Sequence, residues 1–316
     1  MAHAVLRAAL LVSVLAYGWG KVFLGQMGRV DYADALLTVG EKSPMGLLWT
    51  FMAYSPAVQV LAGITELLAG VLLIWRRTAW IGGVLGSVAL GVVFLLNMTF
   101  DVPVKQLSLA LAVGFALVAL PESGRLARFA SGRPTSGYSE PMPIPWPRVH
   151  RVTRWVVASL ALVVFAGAGV ALGTLQQPPA RSASPLPGVY RVTADATPAA
   201  PRLSQDGRWQ EVAFGQWEGD GTARFTLRQA NGDLSEGRYR PMGERVRIDL
   251  YPVLAGDRTF VGRRYARSVT LVWALGPDGT LTLSGDGLRL TAVGDPELRY
   301  LFDRGFSWGP TPPINR

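Results

Sequence analysis

Residues 56–75, PAVQVLAGITELLAGVLLIW, run through Arg76-Arg77-Thr78 into AWIGGVLGSVALGVVFLLNM at 79–98. Each run has about the ~20 apolar residues a helix needs to cross a hydrocarbon core. The stretch therefore reads as two consecutive membrane spans joined by a short basic turn. Glu66 lies in the middle of the first. A carboxylate at mid-depth costs a few kcal/mol even on the mildest insertion scales, so a neighbouring helix must supply something that offsets it.

Three further apolar runs, 4–26, 104–120 and 155–173, bring the expected spans to five. The first begins like a signal peptide. Trp19, Lys21 and Phe23 fall where a small-residue cleavage site would lie, so it is read as retained. Basic residues in short loops set the orientation. Arg7, Arg76, Arg77, Arg125, Arg128, Arg133, Arg148, Arg151 and Arg154 all fall on one side if the spans alternate. The opposite loops balance Arg29, Lys42 and Lys105 against Asp31, Asp34, Glu41 and Asp101. The amino terminus is thus expected in the cytoplasm of a bacterial inner membrane, with the segment after the fifth span outside.

Composition agrees with a chain of two characters. Of 316 residues, 49% are hydrophobic and 17% charged, which is too apolar for one soluble domain and too polar for a wholly embedded one. The chain has no cysteine and two histidines, His3 and His150, both flanking spans. That excludes disulfides, thiolate-bound zinc, iron–sulfur clusters and covalent c-type haem, and it argues against a bis-histidine haem in the membrane. No metal site is expected, and any electron carrier would be non-covalent, a quinone or a flavin, or reside on a partner. The net charge of +9 is spread over loops and strands without a basic helix or an aromatic–basic recognition motif, so nucleic acid is not an expected partner.

Beyond residue 188 the period changes to two. GVYRV, WQEVAFG, TARFTLRQ, GRYRPM, RVRIDLY, RSVTLVWALG, TLTLSG and LRLTAVG are separated by Asp-Gly and Asn-Gly pairs such as Asp220-Gly221 and Asn231-Gly232. Alternation with such pairs between runs is the strongest short-range hairpin signal. Seven or eight strands in this length predict an antiparallel barrel or sandwich over 188–316, with a small up-and-down barrel of the lipocalin sort preferred. Its interior could hold an apolar ligand, or be filled by side chains such as Trp209, Phe225, Tyr239 and Trp273, as small barrels usually are. The Pro/Gly/Ser-rich segment 126–154 reads as a cytoplasmic linker, 176–187 as a second linker, and the aromatic, proline-rich end LFDRGFSWGPTPPINR as a docking tail.

Within the bundle, Gly63 and Gly70 stand at i−3 and i+4 from Glu66, so Glu66 lies on a small-residue stripe of the kind that packs against another helix. Lys21, near the outer end of the first span, is within reach of it, with Tyr17 one turn deeper. Asn97, Asp101 and Lys105 gather at the turn between the third and fourth spans. A polar pocket in the outer half of the bundle is expected, with Trp49, Phe51 and Tyr54 of SPMGLLWTFMAYSP as a lid. Glu66 and Lys21 are the candidate catalytic pair, and Tyr17, Asn97, Asp101, Lys105, Trp49 and Tyr54 are candidate substrate contacts. Each has a plain structural reading too: an interhelical ion pair for Glu66–Lys21, a helix cap for Asp101 ahead of Pro103, and a snorkelling amine for Lys105.

GWGKVF in the first span, SPAVQVLAGITELLAGVLLIWRRTAWIGGVL through the second and third, and NMTFDVPVKQLSLAL at the next turn together resemble the DoxX-like membrane proteins over residues 1–125. The resemblance implies a four-helix bundle with a lysine in helix one and a glutamate in helix two, here Lys21 and Glu66. A fifth span over 155–175 and an outer β-domain resemble an extended subset of that family. Because the family name comes from a thiosulfate:quinone oxidoreductase subunit, the resemblance also implies a quinone-linked membrane subunit, an oxidoreductase partner and no covalent cofactor. The competing expectation is a non-enzymatic anchor that presents the β-domain to a lipid or partner protein. A transporter ranks last, since so few spans would need a homo-oligomer and no inverted repeat is visible.

Overall fold

The computed structural model describes residues 2–135, 146–177, 179–252, 267–305, 309 and 312. It divides into two units: Met1–Arg29 with Pro44–Pro178, and Val30–Ser43 with Pro179–Arg316.

The first unit is helical. Its elements are α1 (Ala2–Val22), α2 (Pro44–Tyr54), α3 (Pro56–Leu72), α4 (Ala79–Thr99), α5 (Lys105–Ala119), the short α6 (Ser123–Ala130) and α7 (Pro147–Leu175). Among the described residues four helical stretches, α1, α4, Lys105–Ala130 (α5 through α6) and α7, are long and apolar enough to cross a membrane, and a fifth crossing follows if the pair α2–α3 is one broken span. These two helices meet at 97°. The cause is local: proline disfavours helical backbone in the residue before it, so Ser55 is extended and becomes the N-cap of a helix with Pro56 in its first turn. The segment 43–56 between the first two expected spans, whose apolar character already suits a re-entrant or interfacial segment, is therefore mostly helix, and α3 stops at Leu72 instead of continuing to Trp75.

Small residues let these helices approach closely. A Cβ on Gly63 would lie 2.6 Å from the Gly18 carbonyl oxygen, and one on Gly70 would lie 2.7 Å from Val14. The stripe beside Glu66 thus packs on α1, as its spacing predicts. In α4, Gly82 faces α3 and Gly83 and Gly86 face α5, where a Cβ on Gly86 would enter the Phe115 ring. The core between α1, α3, α4 and α5 is built on Leu10, Val14, Leu73, Leu90, Leu111 and Phe115. α7 packs on α1 through Trp19, whose ring lies 5.2 Å from Phe165 and stacks on Phe23 at 5.4 Å. That helix starts at Pro147, so the last eight residues of the expected linker belong to it, and α6 occupies its beginning. Residues 136–145 of the linker lie outside the described residues.

The second unit is a closed barrel. β2 (Gly188–Asp195), β3 (Trp209–Gly219), β4 (Thr222–Gln229), β5 (Leu234–Met242), β6 (Arg245–Pro252), β7 (Arg267–Leu275), β8 (Thr280–Gly285) and β9 (Leu288–Gly294) are each antiparallel to the next, and β9 pairs back onto β2. All eight expected strands are present in up-and-down order. Asp220 and Gly221 both take positive φ (55° and 68°) between β3 and β4, which suits the right-handed strand twist of a two-residue hairpin. Inside lie Tyr190, Trp209, Phe214, Phe225, Tyr239, Leu271 and Leu283, with Trp273 packed partly buried against them. Phe214 sits edge-on to both Phe225 (4.9 Å) and Tyr239 (5.1 Å).

Two segments read as linker or loop are part of this unit. β1 (Ala180–Arg181) pairs with β3, and Leu186 is fully buried in the barrel core, so 176–187 is only partly a linker. Residues 30–43, the connection between α1 and α2, lie on the outer face of the barrel with α8 (Pro296–Asp303). Tyr32 and Leu36 pack on Val189, Ala213 and Leu234, the outward partners of inward Tyr190, Val212 and Phe214. The β3–β4 register breaks between Phe214 and Glu218, and the Gln216 amide so released donates to Asp31 Oδ1 at 2.8 Å. Arg224 pairs with Asp34 (2.7 Å), Arg228 with both oxygens of Glu41 (2.7 Å each), and Thr226 Oγ1 donates to Ala33 O. The Arg228 guanidinium beside Glu41 holds that carboxyl down at about 2, whereas burial pushes Asp31 above the usual carboxylate range against the pull of Arg224. Of the expected docking tail, 306–308, 310, 311 and 313–316 lie outside the described residues.

Candidate functional site

Lys21 and Glu66 meet inside the helical unit. Lys21 Nζ donates to both Glu66 carboxylate oxygens at 2.8 Å, and the two side chains are 5% and 3% exposed. Gly18 and Gly63 make this possible, since any side chain there would hold α1 and α3 apart. The amine also lies 5.8 Å from the centre of the Tyr17 ring, a geometry in which the ring face stabilises the cation. The carboxylate is therefore held within protein by a partner on the adjacent helix.

A cavity of about 410 Å³ adjoins this pair, a size typical of small-molecule sites. Tyr17, Lys21, Glu66, Thr65, Asn97 and Ser108 contribute its polar groups, and most of the wall is apolar, from Leu48, Trp49 and Met52 of α2 to Leu90, Leu96 and Leu111 of α4 and α5. Five lining residues, Phe51, Val58, Val92, Val104 and Leu107, are also exposed on the apolar exterior of the bundle. The cavity thus reaches the apolar exterior of the bundle. α2 forms the wall expected of a lid. Its Trp49 Nε1 donates to the Gln26 carbonyl at 3.2 Å, which ties α2 to the end of α1.

Tyr17, Asn97 and Trp49 take their expected places around Glu66 and Lys21. Asp101, Lys105 and Tyr54 do not line the cavity. Asp101 takes positive φ (53°) in the α4–α5 turn and ion-pairs with Lys105, its carboxylate largely exposed. It is not the helix cap either: α5 begins at Lys105, and Val104 in the cap position provides no side-chain bond. Tyr54 ends α2 and is 40% exposed. Asn97 instead donates to Ser108 Oγ (3.0 Å), which itself bonds the Lys105 carbonyl, so the polar contribution of α5 comes from Ser108.

Three further polar side chains have roles that the sequence does not single out. Gln59, fully buried in α3, accepts from the Met27 amide and donates to the Gly28 carbonyl, pinning the turn that follows α1. Its signal was a lone amide in an apolar run seven residues before Glu66. Gln26 lines the cavity, and its Oε1 is buried without a hydrogen-bond partner among the described residues. Arg7, read only as a topogenic charge, is buried and donates to the Leu73 and Ile74 carbonyls at 2.6 Å each, closing the C-terminal end of α3. Among the described residues no cluster of histidine and carboxylate side chains is arranged to hold a metal ion.

Fold and site together define a membrane protein in which an apolar helical bundle with a buried lysine–glutamate pair is joined to an eight-stranded β-barrel. No known family profile and no solved structure matches the chain. It is 34% identical over 110 residues, 35% of its own length and 70% of the relative's, to "Uncharacterized protein YwoB" of Bacillus subtilis (strain 168). The chain belongs to the YwoB family.

Proposed function

We propose that the helical unit is a DoxX-like bundle that binds an amphipathic, membrane-dissolved ligand of the quinone class, with Lys21 and Glu66 addressing its polar head. The observation that carries this reading is the cavity itself: its wall is mostly apolar, it reaches the apolar exterior of the bundle at Phe51, Val92 and Leu107, and it ends on a buried charged pair. A quinone ring fits that division. One carbonyl oxygen accepts a hydrogen bond from Lys21 Nζ, the ring and tail lie against Leu48, Trp49 and Leu90, and the uncapped Gln26 Oε1 accepts from a quinol hydroxyl. Reduction to quinol takes up two electrons and two protons. The electrons come from a partner subunit, and Glu66, able to exchange its bond with Lys21 for one to the ligand, passes protons.

In this reading the amino terminus is cytoplasmic and the barrel extracytoplasmic. Residues 30–43 and the described residues of 179–305 belong to one compact unit and so share a side of the membrane. Four crossings lie between them if α3, with α2 or alone, α4, α5 and α7 each cross once, and an even number returns the chain to the same side. The positive-inside bias then puts that side outside.

The test is saturable binding of a short-tailed ubiquinone or menaquinone analogue to the full chain in lipid nanodiscs, read by quenching of tryptophan fluorescence. Trp49→Phe should remove most of the quench, and Lys21→Met should weaken binding at least tenfold. Absence of saturable binding by either quinone class would overturn the proposal. The anchor reading draws support from a separate observation: the barrel incorporates the α1–α2 connection, so the bundle holds it through more than one chain link.

A further inference from the structure

A second cavity, of about 270 Å³, lies in the helical unit and shares no lining residue with the first. Its lining follows two helical stripes. On α1 the order is Ala4, Arg7, Ala8 and Leu11, and on α7 it is His150, Thr153, Arg154, Val157 and Ala161. Spacings of three and four residues put each stripe on one helix face. Arg76, in the turn after α3, completes the wall with Leu73, Ile74 and Trp75. Each stripe carries its basic groups in the first turns of its helix, Arg7 on α1 and His150 and Arg154 on α7, and is apolar further in. Among the described residues, three guanidiniums and an imidazole border the cavity, and none of those lining it carries a carboxylate. Val157 at the apolar end is more than half exposed, so the groove continues onto the outer surface of the bundle.

We infer that this cavity is a binding site for an anionic glycerophospholipid, such as phosphatidylglycerol or cardiolipin. The phosphate sits among Arg76, Arg154 and His150, and an acyl chain runs along Leu11, Val157 and Ala161. Guanidinium groups suit phosphate oxygens, which they can bind with two parallel hydrogen bonds. Basic pockets between membrane helices, at the level of the headgroups, have the chemistry for such lipids. The apolar continuation distinguishes a lipid from free phosphate, which would leave Val157 and Ala161 without a role. Arg7 also borders the site, yet its bonds to Leu73 and Ile74 give it a structural task, so it is unsuited to the test.

The experiment is native mass spectrometry of the full chain titrated with phosphatidylglycerol, phosphatidylcholine of matched chains, or inorganic phosphate, alongside thermal unfolding in detergent. Phosphatidylglycerol should be retained and raise the unfolding temperature; phosphatidylcholine and inorganic phosphate should do neither. At about 1 kcal/mol per basic residue, R76Q or R154Q should each weaken retention about fivefold, and the double variant about 25-fold. Should the double variant fail to fold, Val157→Trp fills the groove at an exposed position without altering charge, and it should also abolish retention. Equal retention of the two lipids, or phosphatidylglycerol retention unchanged by these substitutions, would refute the assignment. Stabilisation by inorganic phosphate equal to that by phosphatidylglycerol would assign the site to free phosphate and refute the lipid.

Discussion

Lys21→Met leaves the Glu66 carboxylate buried beside an apolar side chain, and the cost can be worked from the geometry. Nζ lies 2.8 Å from each oxygen, a separation at which opposite unit charges attract by about 6 kcal/mol at an effective dielectric constant of about 20. Desolvation of two groups at 5% and 3% exposure consumes most of that gain. The intact pair is therefore worth little compared with a well-packed apolar pair, while either charge alone is costly. Lys21→Met and Glu66→Leu should each destabilise the bundle by about 3–5 kcal/mol, and Lys21→Met/Glu66→Leu should come within about 1 kcal/mol of the wild type. The assay is reversible unfolding of the full chain in mixed micelles across all four members of the cycle. Glu66→Gln, which keeps an acceptor for Lys21, should lie between. The reasoning fails if the single variants cost less than about 1 kcal/mol, or if the double variant costs as much as their sum, because either result means that the two charges are not coupled.

Gly63→Ala places a methyl 2.6 Å from the Gly18 carbonyl oxygen and 2.8 Å from Lys21 Cβ; it should cost about 1–3 kcal/mol and weaken quinone-analogue binding, whereas Gly91→Ala, with open space around it, should do neither. Arg7→Met removes two charge-assisted bonds to the end of α3 and should cost about 2–3 kcal/mol, seen as faster hydrogen exchange at 73–78. Glu41 has its carboxyl lowered to about 2 from 4.5 by Arg228, so its contribution is complete above pH 4.5 and disappears as pH falls toward 2. Its partial exposure limits that contribution to about 1 kcal/mol. Glu41→Gln should therefore lower the barrel's unfolding temperature at pH 7 and have almost no effect at pH 2; an equal effect at both would refute the pairing. Asp31 works in the opposite direction, since burial raises its carboxyl and its contribution falls as pH rises above 3.8, so Asp31→Asn should cost less stability at neutral pH than the loss of its bond to Gln216 alone suggests.

Much of the barrel was legible because hairpins are local. Alternation marks each strand, Asp-Gly and Asn-Gly pairs mark the turns, and neighbours in sequence are neighbours in the sheet. The missed pieces lacked such marks: β1 is two residues long, and α8 is a short amphipathic helix after the last strand. Around the first cavity, Glu66 and Lys21 stood out because charge in an apolar run is expensive, and Tyr17 and Asn97 followed from their proximity in register. Asp101 and Lys105 were equally visible as polar residues near the same level. Their spacing of four lets them neutralise each other at the turn, and nothing then draws them inward.

The amino-acid sequence by itself determined the apolar helices, the eight strands, the glycine stripe at Gly63 and Gly70 and the pairing of Lys21 with Glu66, since each depends on hydrophobic period or on the high cost of an isolated charge in an apolar medium. Only the tertiary structure decided that 30–43 belongs to the barrel, where Glu41 meets Arg228 across 187 residues of chain, that Arg7 closes α3, and that Gln59 pins the turn after α1. Those outcomes depend on which exposed polar and apolar groups find complementary partners once the chain has folded, and no local repeat encodes a partner that distant.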